Sequence, residues 1–299
     1  MSYQEAHHPD CEEASGHVDM LIHAKRKSLG EFSVRRVLPA RERRTVGPFI
    51  FFDHMGPAEF PPGKGIQVRP HPHIGIATIT YLFAGEIMHA DSLGFSQPIT
   101  SGAVNLMTAG RGIVHSERAG SDLHSHATLH GIQSWIALPD EMEEIEPAFV
   151  HTPATDIPTL KMGEAEVRII MGEAYGEASP VKTYSPTLYL HCELQGGAEV
   201  ELPTDSDELA VYPVSGSVEL GNSNVPEGVM AVACRDQAPS LRAREDSRVM
   251  VIGGQSVGPR HIWWNFVSTS KDRIERAKSD WRNGVFDRVP GDDEFIPLP

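Results

Sequence analysis

Three histidines and one glutamate lie in two short segments whose spacing is typical of a metal site. The first segment contains His71 and His73, separated by a proline, and the second contains His115 and Glu117, separated by a serine. Because residues two apart in a β-strand project from the same face, each pair can direct both side chains to one point. Imidazole and carboxylate are common ligands of first-row transition metals. We therefore predict a mononuclear His3Glu metal site on two facing strands.

Two prolines constrain the backbone of the first segment. Arg69 and His71 each precede a proline, which favours extended backbone at both positions. Proline cannot donate to a β-ladder, so this segment is expected to be an edge strand or the start of one. If the strand continues without a bulge, small residues next to the ligands would leave room for a substrate. The side chains then expected on the ligand face are Gly75, Ala77, Ile79, Tyr81 and Phe83.

A second HxH motif in the same chain serves as an internal control. His124 and His126 have the same spacing, but the segment around them has the composition of a loop and lacks apolar alternation. An isolated HxH motif is weak evidence, because buried histidines satisfied by hydrogen bonds are more common. We interpret this second pair as solvated. The first pair is favoured as a ligand pair by its partner segment.

The spacing of glycines and histidines fits the two-part pattern of cupin barrels. The two parts read Gly65-x5-His71-x-His73-x11-Gly85 and Gly112-x2-His115. In cupins a glutamate usually follows the HxH motif by four or five positions, where this chain has Ala77 and Thr78. Glu117, two residues after His115, can replace it.

This rearrangement, with HPH in the first part and GRGIxHxE in the second, resembles the pirin family. One departure is Ile74, where many pirins have an arginine after HPH; we expect it to change the pocket wall or rim and to affect substrate preference more than metal binding. Further motifs carry the resemblance: Phe51-Phe52-Asp53-His54-Met55-Gly56-Pro57, Met107-Thr108-Ala109-Gly110 and His130-Gly131-Ile132-Gln133-Ser134-Trp135.

The chain reads as short strands separated by turns, which predicts an all-β fold of two jelly-roll β-barrels in tandem, a bicupin, with a short C-terminal helix. His191 is the single imidazole between residues 184 and 256, so the second barrel is expected to lack metal ligands, as the resemblance also implies. The predicted divisions are an N-terminal polar segment 1–24, a metal-binding barrel 25–138, a linker 139–150, a C-terminal barrel 151–266 and a helix with tail 267–299. The predicted strands cover 31–38, 49–52, 73–83, 86–89, 104–107, 113–116, 133–137, 167–171, 187–193, 198–202, 208–214, 217–220, 228–234 and 248–253.

The C-terminal helix is predicted from an apolar stripe at Ile274, Ala277 and Trp281, with Thr269 and Asp272 as a capping pair. The aromatic run before it, His261-Ile262-Trp263-Trp264-Asn265-Phe266, is interpreted as core.

Composition limits the classes of protein. The chain has 299 residues, 40% of them hydrophobic, and a formal net charge of −15, which disfavours direct nucleic-acid binding. The basic stretch 25–44 is interpreted as solvated strand faces. Cys11, Cys192 and Cys234 are widely separated, which is typical of a reducing compartment and predicts no disulfide framework. No apolar segment suggests a signal peptide or a membrane span, so a cytoplasmic protein is expected.

The resemblance implies a metal-dependent dioxygenase of the quercetin 2,3-dioxygenase type, which opens a flavonol ring with O2 and releases carbon monoxide. It favours Fe(II), while the ligand types also suit Mn, Ni, Cu or Zn. Glu117 is expected to act as a ligand and as the base that accepts the substrate proton. His54 and Arg111 are expected beside the pocket.

Two other functions compete with the dioxygenase. The resemblance also allows a metal-containing regulatory protein that binds a transcription factor or a metabolic enzyme without turnover. A cupin isomerase would need a further acid–base pair in the first barrel, and the sequence contains no convincing one.

Overall fold

The computed structural model describes residues 17–28, 32–234 and 239–299. The predictions for residues 1–16, which include Cys11, lie outside these ranges. So does residue 31, where the first predicted strand begins. The strands up to residue 152 are β1 (Val18–His23), β2 (Lys25–Ser28), β3 (Ser33–Leu38), β4 (Phe49–Phe60), β5 (Gln67–His73), β6 (Ile76–Ala84), β7 (Glu86–Asp91), β8 (Ser96–Thr100), β9 (Val104–Thr108), β10 (Ile113–Ala119), β11 (Ala127–Ala137) and β12 (Ala148–Thr152).

The later strands and the α-helix of the described residues complete the fold. They are β13 (Thr159–Met162), β14 (Ala165–Met171), β15 (Glu173–Ala174), β16 (Glu177–Ala178), β17 (Thr187–Leu194), β18 (Glu199–Glu201), β19 (Glu208–Ser215), β20 (Val218–Leu220), β21 (Ser223–Val225), β22 (Val229–Ala233), β23 (Ser240–Ala243), β24 (Ser247–Gly254), β25 (His261–Trp263), β26 (Phe266–Ser268) and α1 (Lys271–Arg282). Short 3-10 helices cover Ser121–His124, Asp140–Met142 and Ala154–Asp156.

The strands form two barrels, each built from a seven-stranded and a four-stranded sheet. In the N-terminal barrel the strand orders are β12-β9-β6-β11-β4-β3-β2 and β5-β10-β7-β8. In the C-terminal barrel they are β1-β22-β19-β24-β17-β14-β13 and β18-β23-β20-β21. The predicted bicupin is therefore confirmed. Strand β5, which carries the HPH motif, lies at a sheet edge, as its prolines predict.

The two seven-stranded sheets pack against each other. The largest cluster of buried apolar side chains combines residues of both sheets, including Ile79 and Tyr81 from one barrel and Tyr189 and Met250 from the other. Strand β6 is consequently buried on both faces, which explains its nearly continuous apolar sequence. Burial of this interface fixes the two barrels as one unit.

The face predicted for the residues after His73 is wrong. The strand predicted over 73–83 is interrupted at Gly75, whose φ is +68° and whose α-carbon lies so close to the Val267 carbonyl that a Cβ could not fit. The interruption reverses the side-chain parity. Ala77 and Ile79 therefore pack against the other barrel rather than line the pocket.

The two N-terminal strands belong to different barrels, and the segment between the barrels adds a strand to the first one. Strand β1 lies in the segment predicted as polar and N-terminal, yet it pairs with β22 of the C-terminal barrel, whereas β2 pairs with β3 of the N-terminal barrel. Strand β12 begins inside the predicted linker 139–150 and pairs with β9. The linker is therefore shorter than predicted, because the chain completes the first barrel before it leaves it.

The C-terminal helix forms where the stripe predicts it, with Ile274 and Ala277 buried. Its N-cap is Ser270, which accepts a hydrogen bond from the Arg273 amide, and not Thr269.

The basic stretch 25–44 contains one buried member, because Arg43 is buried and pairs with Glu208 at 3.0 Å. The interpretation of the stretch as wholly solvated is therefore corrected. In the described part of the chain, no helix has the length and apolarity to cross a bilayer.

Candidate metal centre

Strands β5 and β10 bring three histidine rings together inside the N-terminal barrel. The strands are antiparallel, and His115 lies opposite His71 in the register. One potential ligand atom from each of His71, His73 and His115 lies within 4.8 Å of those of the other two. This is the one such group of three found among residues 17–28, 32–234 and 239–299. It contains three of the four predicted ligands.

The three imidazoles are buried and neutral. Burial lowers the pKa of His71 to about 4, although a hydrogen bond to the Arg69 carbonyl acts in the opposite direction. Burial and the neighbouring histidines also hold the pKa values of His73 and His115 well below the usual range. A neutral imidazole offers its lone pair to a metal without competition from a proton.

Hydrogen bonding indicates which ring atoms are free to bind a metal. His71 donates from Nδ1 to the Arg69 carbonyl at 2.9 Å, which leaves Nε2 for a metal. His115 is 1% exposed, and neither of its ring nitrogens has a hydrogen-bond partner. Because an unsatisfied buried polar atom is costly, the His115 ring fits a metal ligand better than a core residue. The residues present therefore fit a divalent transition metal.

Glu117 lies in the same cavity but outside the group of three rings. The pairing of β10 with β5 shifts register between His115 and Glu117, with the extra residue on β5, whereas the pairing of β10 with β7 is regular through both residues. The side chain is buried, and burial raises its pKa to about 7. A carboxyl group with this pKa can accept or release a proton near neutral pH.

A histidine–aspartate pair beside the centre was missed from the sequence. His89 lies opposite Glu117 in the β10–β7 register, and its ring centroid is 5.3 Å from that of His115. Its Nε2 atom lies 2.9 Å from Oδ2 of the fully buried Asp91. The i, i+2 spacing of these two residues on β7 was the available signal, since it resembles the spacing of the metal ligands.

A cavity of about 670 Å³ opens onto the centre, within the usual size range for a small-molecule site. One wall is aromatic: Phe51 and Trp135 stack with ring centroids 4.1 Å apart, and Trp135 stands nearly perpendicular to His73 at 5.0 Å. The guanidinium of Arg36 lies 4.4 Å above Phe51, and Asp53 accepts two hydrogen bonds from it. Planar aromatic molecules match this wall in shape and polarity.

Residues from outside the first barrel complete the cavity. Trp264 and Asn265, from the β25–β26 turn, and Ile296, from the C-terminal tail, line it. The interpretation of the aromatic run as core is correct for Phe266, which is fully buried, whereas Trp264 is half-buried and both packs against the Phe266 cluster and lines the cavity. The sequence offered no signal for this, because the contact depends on how the tail returns to the first barrel.

Several other predicted positions lie away from the cavity. His54 is at the interface between the barrels, where Nδ1 lies 3.0 Å from the Tyr212 hydroxyl. Arg111 is 59% exposed and pairs with Glu146, so neither residue is beside the pocket as predicted. Ile74 is buried against Phe266 rather than at the cavity rim.

Three further histidines lie outside the candidate centre. The second HxH pair, His124 and His126, is exposed. In the second barrel, His191 bonds to Tyr81 and Glu193, and its ring belongs to no group of potential metal ligands in the described residues.

Comparison with known proteins shows which family the sequence matches. The family model for pirin matches residues 31–136, and the model for the pirin C-terminal cupin domain matches residues 189–287. A pirin-like protein of Caulobacter vibrioides is 49% identical over 287 residues, which cover 94% of this chain and 99% of that protein.

Solved structures agree with both domains. A crystal structure of quercetin 2,3-dioxygenase from Acinetobacter baumannii is 31% identical, has a TM-score of 0.88 and covers 94% of each chain. A bacterial pirin of Escherichia coli in complex with nickel(II) has a TM-score of 0.63 at 18% identity, covers 79% of this chain and 99% of its own, and supports the fold alone. Since the family models match more than half of the sequence, this chain belongs to the pirin family.

Proposed function

We propose that this pirin is a metal-dependent dioxygenase of the quercetin 2,3-dioxygenase type, which opens a flavonol ring with O2. His71, His73 and His115 would hold one divalent metal, with Glu117 as the fourth ligand. Fe(II) is the metal we favour, and manganese, nickel, copper and zinc suit the same ligands. The nickel(II) complex of the Escherichia coli pirin makes nickel a necessary comparison.

The observation that carries this proposal is the combination of a buried three-histidine group and a buried carboxyl group at one end of an aromatic cavity. When bound, the metal would supply Lewis-acid activation of a flavonol 3-hydroxyl and a redox centre for O2. Glu117, whose carboxyl group is buried beside the three rings, would accept the proton of that hydroxyl. Phe51 and Trp135 would hold the flat substrate and keep water away from the ring.

The test compares oxygen uptake with quercetin after anaerobic loading with Fe(II). His115→Ala removes a proposed ligand, and Glu117→Gln keeps the shape of the side chain but removes the base. His126→Ala is the matched control, because it changes an exposed histidine of the other HxH pair. We expect His115→Ala to lose metal and activity, and Glu117→Gln to keep metal at saturation but lose activity by about 10²-fold or more.

Three results would contradict the proposal. Oxygen uptake by Glu117→Gln at the wild-type rate would exclude the carboxylate as the base. Metal retained by His115→Ala would exclude the ligand set. Stoichiometric metal without uptake for any flavonol would leave the site standing, exclude the dioxygenase and favour the regulatory alternative, in which the metalloprotein binds a protein partner without turnover.

A further inference from the structure

An unusual residue occupies the turn between β25 and β26. The strands pair antiparallel, with Trp263 opposite Phe266, so that Trp264 and Asn265 form a two-residue turn. Trp264 has a φ of +52°, whereas Asn265 is not among the residues with positive φ. A positive φ at only the first central position is the pattern of a type II′ turn, in which that position is normally glycine. A tryptophan is sterically disfavoured there.

The surroundings hold the turn in place. Phe266 is fully buried against Ile74, and the backbone of Val267 donates to the Ile74 carbonyl at 3.3 Å. At the end of β26, the Ser268 hydroxyl donates to Glu143 at 2.9 Å. These contacts act on β26 and do not require an indole at position 264, so a glycine would satisfy the same turn with less strain.

The Trp264 side chain borders both the cavity and the buried cluster around Phe266. It is half-buried and lines the same cavity as the three histidines. Its ring packs edge-on against Phe266 with centroids 5.7 Å apart, which holds the indole in one orientation. Strained backbone that persists at a ligand cavity is often part of the function of the site.

We infer that Trp264 is a specificity-determining residue, whose indole gives extended planar aromatic ligands a surface on which to stack. This inference rests on the proposed flavonol dioxygenase. Chelation by the metal requires only one oxygen-bearing ring of a ligand, whereas stacking on Trp264 requires the additional rings. The residue would therefore select multi-ring substrates over single-ring catechols.

The test measures ligand affinity without turnover. Quercetin and catechol are titrated anaerobically into the metal-loaded protein, and metal content and Tm are measured for each variant. For Trp264→Gly we expect unchanged metal and quercetin binding weakened by about tenfold. The Tm should change little, because relief of the strained backbone opposes the lost packing of the indole on Phe266. Catechol binding should change by less than about twofold.

A matched control is available in the second barrel. Tyr175 has a φ of +53° in the turn between β15 and β16, and it does not line the cavity. Tyr175→Gly relieves the same backbone conformation and should leave both affinities unchanged. Trp264→Phe, which keeps an aromatic ring at the turn, should retain part of the preference for quercetin.

The outcomes separate this inference from the proposed function. Wild-type quercetin affinity in Trp264→Gly, or equal losses for quercetin and catechol, would each overturn the inference, and the second would assign the indole to the packing of the cavity. Selective loss of quercetin binding, in a protein that consumes no oxygen with any flavonol, would support the inference and contradict the dioxygenase. If the wild type binds no quercetin, both fail.

Discussion

The hydroxyl of Tyr81, on the N-terminal barrel, lies 2.8 Å from Nδ1 of His191 on the second barrel. A second pair has the reciprocal arrangement: Nδ1 of His54 on the first barrel lies 3.0 Å from the hydroxyl of Tyr212 on the second. Each barrel thus contributes one tyrosine and one histidine to a buried interface. The second barrel, which has no group of metal ligands in its described residues, supports the strands of the site through these pairs.

Tyr81→Phe tests the first pair. The substitution leaves Nδ1 of His191 without its partner in a buried interface, which should lower the free energy of unfolding by about 1–3 kcal/mol. Urea unfolding at constant pH measures this change, and metal content should stay at the wild-type level. Tyr175→Phe, which removes a hydroxyl bonded to the Glu201 carbonyl at the surface, is the control and should have a smaller effect. Equal losses of unfolding free energy in the two variants would show that the interface hydrogen bond contributes no more than a surface one.

The pH dependence of stability tests the second pair. Burial, followed by the charges of Arg35 and His130, lowers the pKa of His54 from 6.5 to about 2. The unfolded chain therefore binds a proton near pH 6.5 that the folded protein does not bind until far lower pH, so stability falls as pH decreases below about 6.5. This group should contribute about 1 kcal/mol per pH unit between about pH 6 and pH 4.

His54→Gln removes this titration. Unfolding by urea at a series of pH values should give a shallower slope for the variant than for the wild type, with the difference of about 1 kcal/mol per pH unit. Identical slopes would mean that His54 is protonated in the folded protein or is accessible to water.

Arg118 tests how the C-terminal tail is held against the cavity. It follows Glu117 on β10 and pairs with Asp292 at 2.7 Å and Glu294 at 2.6 Å. The Ile296 amide donates to the Pro70 carbonyl at 2.8 Å, next to the HPH motif. Arg118→Ala should raise amide exchange in the tail by up to about fivefold, the size expected for a partly exposed ion pair.

Hydrogen–deuterium exchange with mass spectrometry measures this change, and high salt should reproduce part of it in the wild type. Arg244→Ala removes an exposed pair with Glu219 in the second barrel and should leave exchange in the tail unchanged. Wild-type exchange in Arg118→Ala would indicate that the tail is held by its apolar contacts alone.

Ile74→Arg tests the departure from the arginine common in other pirins. Ile74 is 1% exposed and packs against Phe266, Ile274 and Ala277. An arginine would bury an unpaired charge and should lower the free energy of unfolding by about 3–5 kcal/mol. Ile74→Val, the matched control, should cost about 0.5–1.5 kcal/mol. A stable Ile74→Arg protein with an unchanged urea midpoint would show that this position can reach solvent.

The predictions that depend on local pattern agree with the structure. The alternation of apolar residues and the turn signals place most of the fourteen predicted strands within about three residues of their bounds, because side-chain direction in a strand has a period of two. They do not predict several other strands, such as β2, β8 and β13. The prolines around His71 predict the edge position of β5 for the same local reason. The apolar stripe at Ile274 and Ala277 predicts the helix.

The failed predictions of side-chain environment each required a long-range contact. The break at Gly75 follows from the approach of Val267, nearly two hundred residues later in the chain, and it reverses the face of Ala77 and Ile79. His54 belongs to the barrel interface because Tyr212 lies opposite it. Nothing within a few positions of either residue encodes its partner.

The sequence by itself determined the types of the candidate ligands, their pairing on two strands and the bicupin architecture, because spacing and periodicity act over a few residues. Tertiary structure alone decided which side chains form the cavity around those ligands. It brought Trp264 and Ile296 from the end of the chain to the first barrel, and it buried Glu117 so that its pKa rises to about 7. Burial and electrostatic environment arise from the packing of distant segments, and no local pattern specifies them.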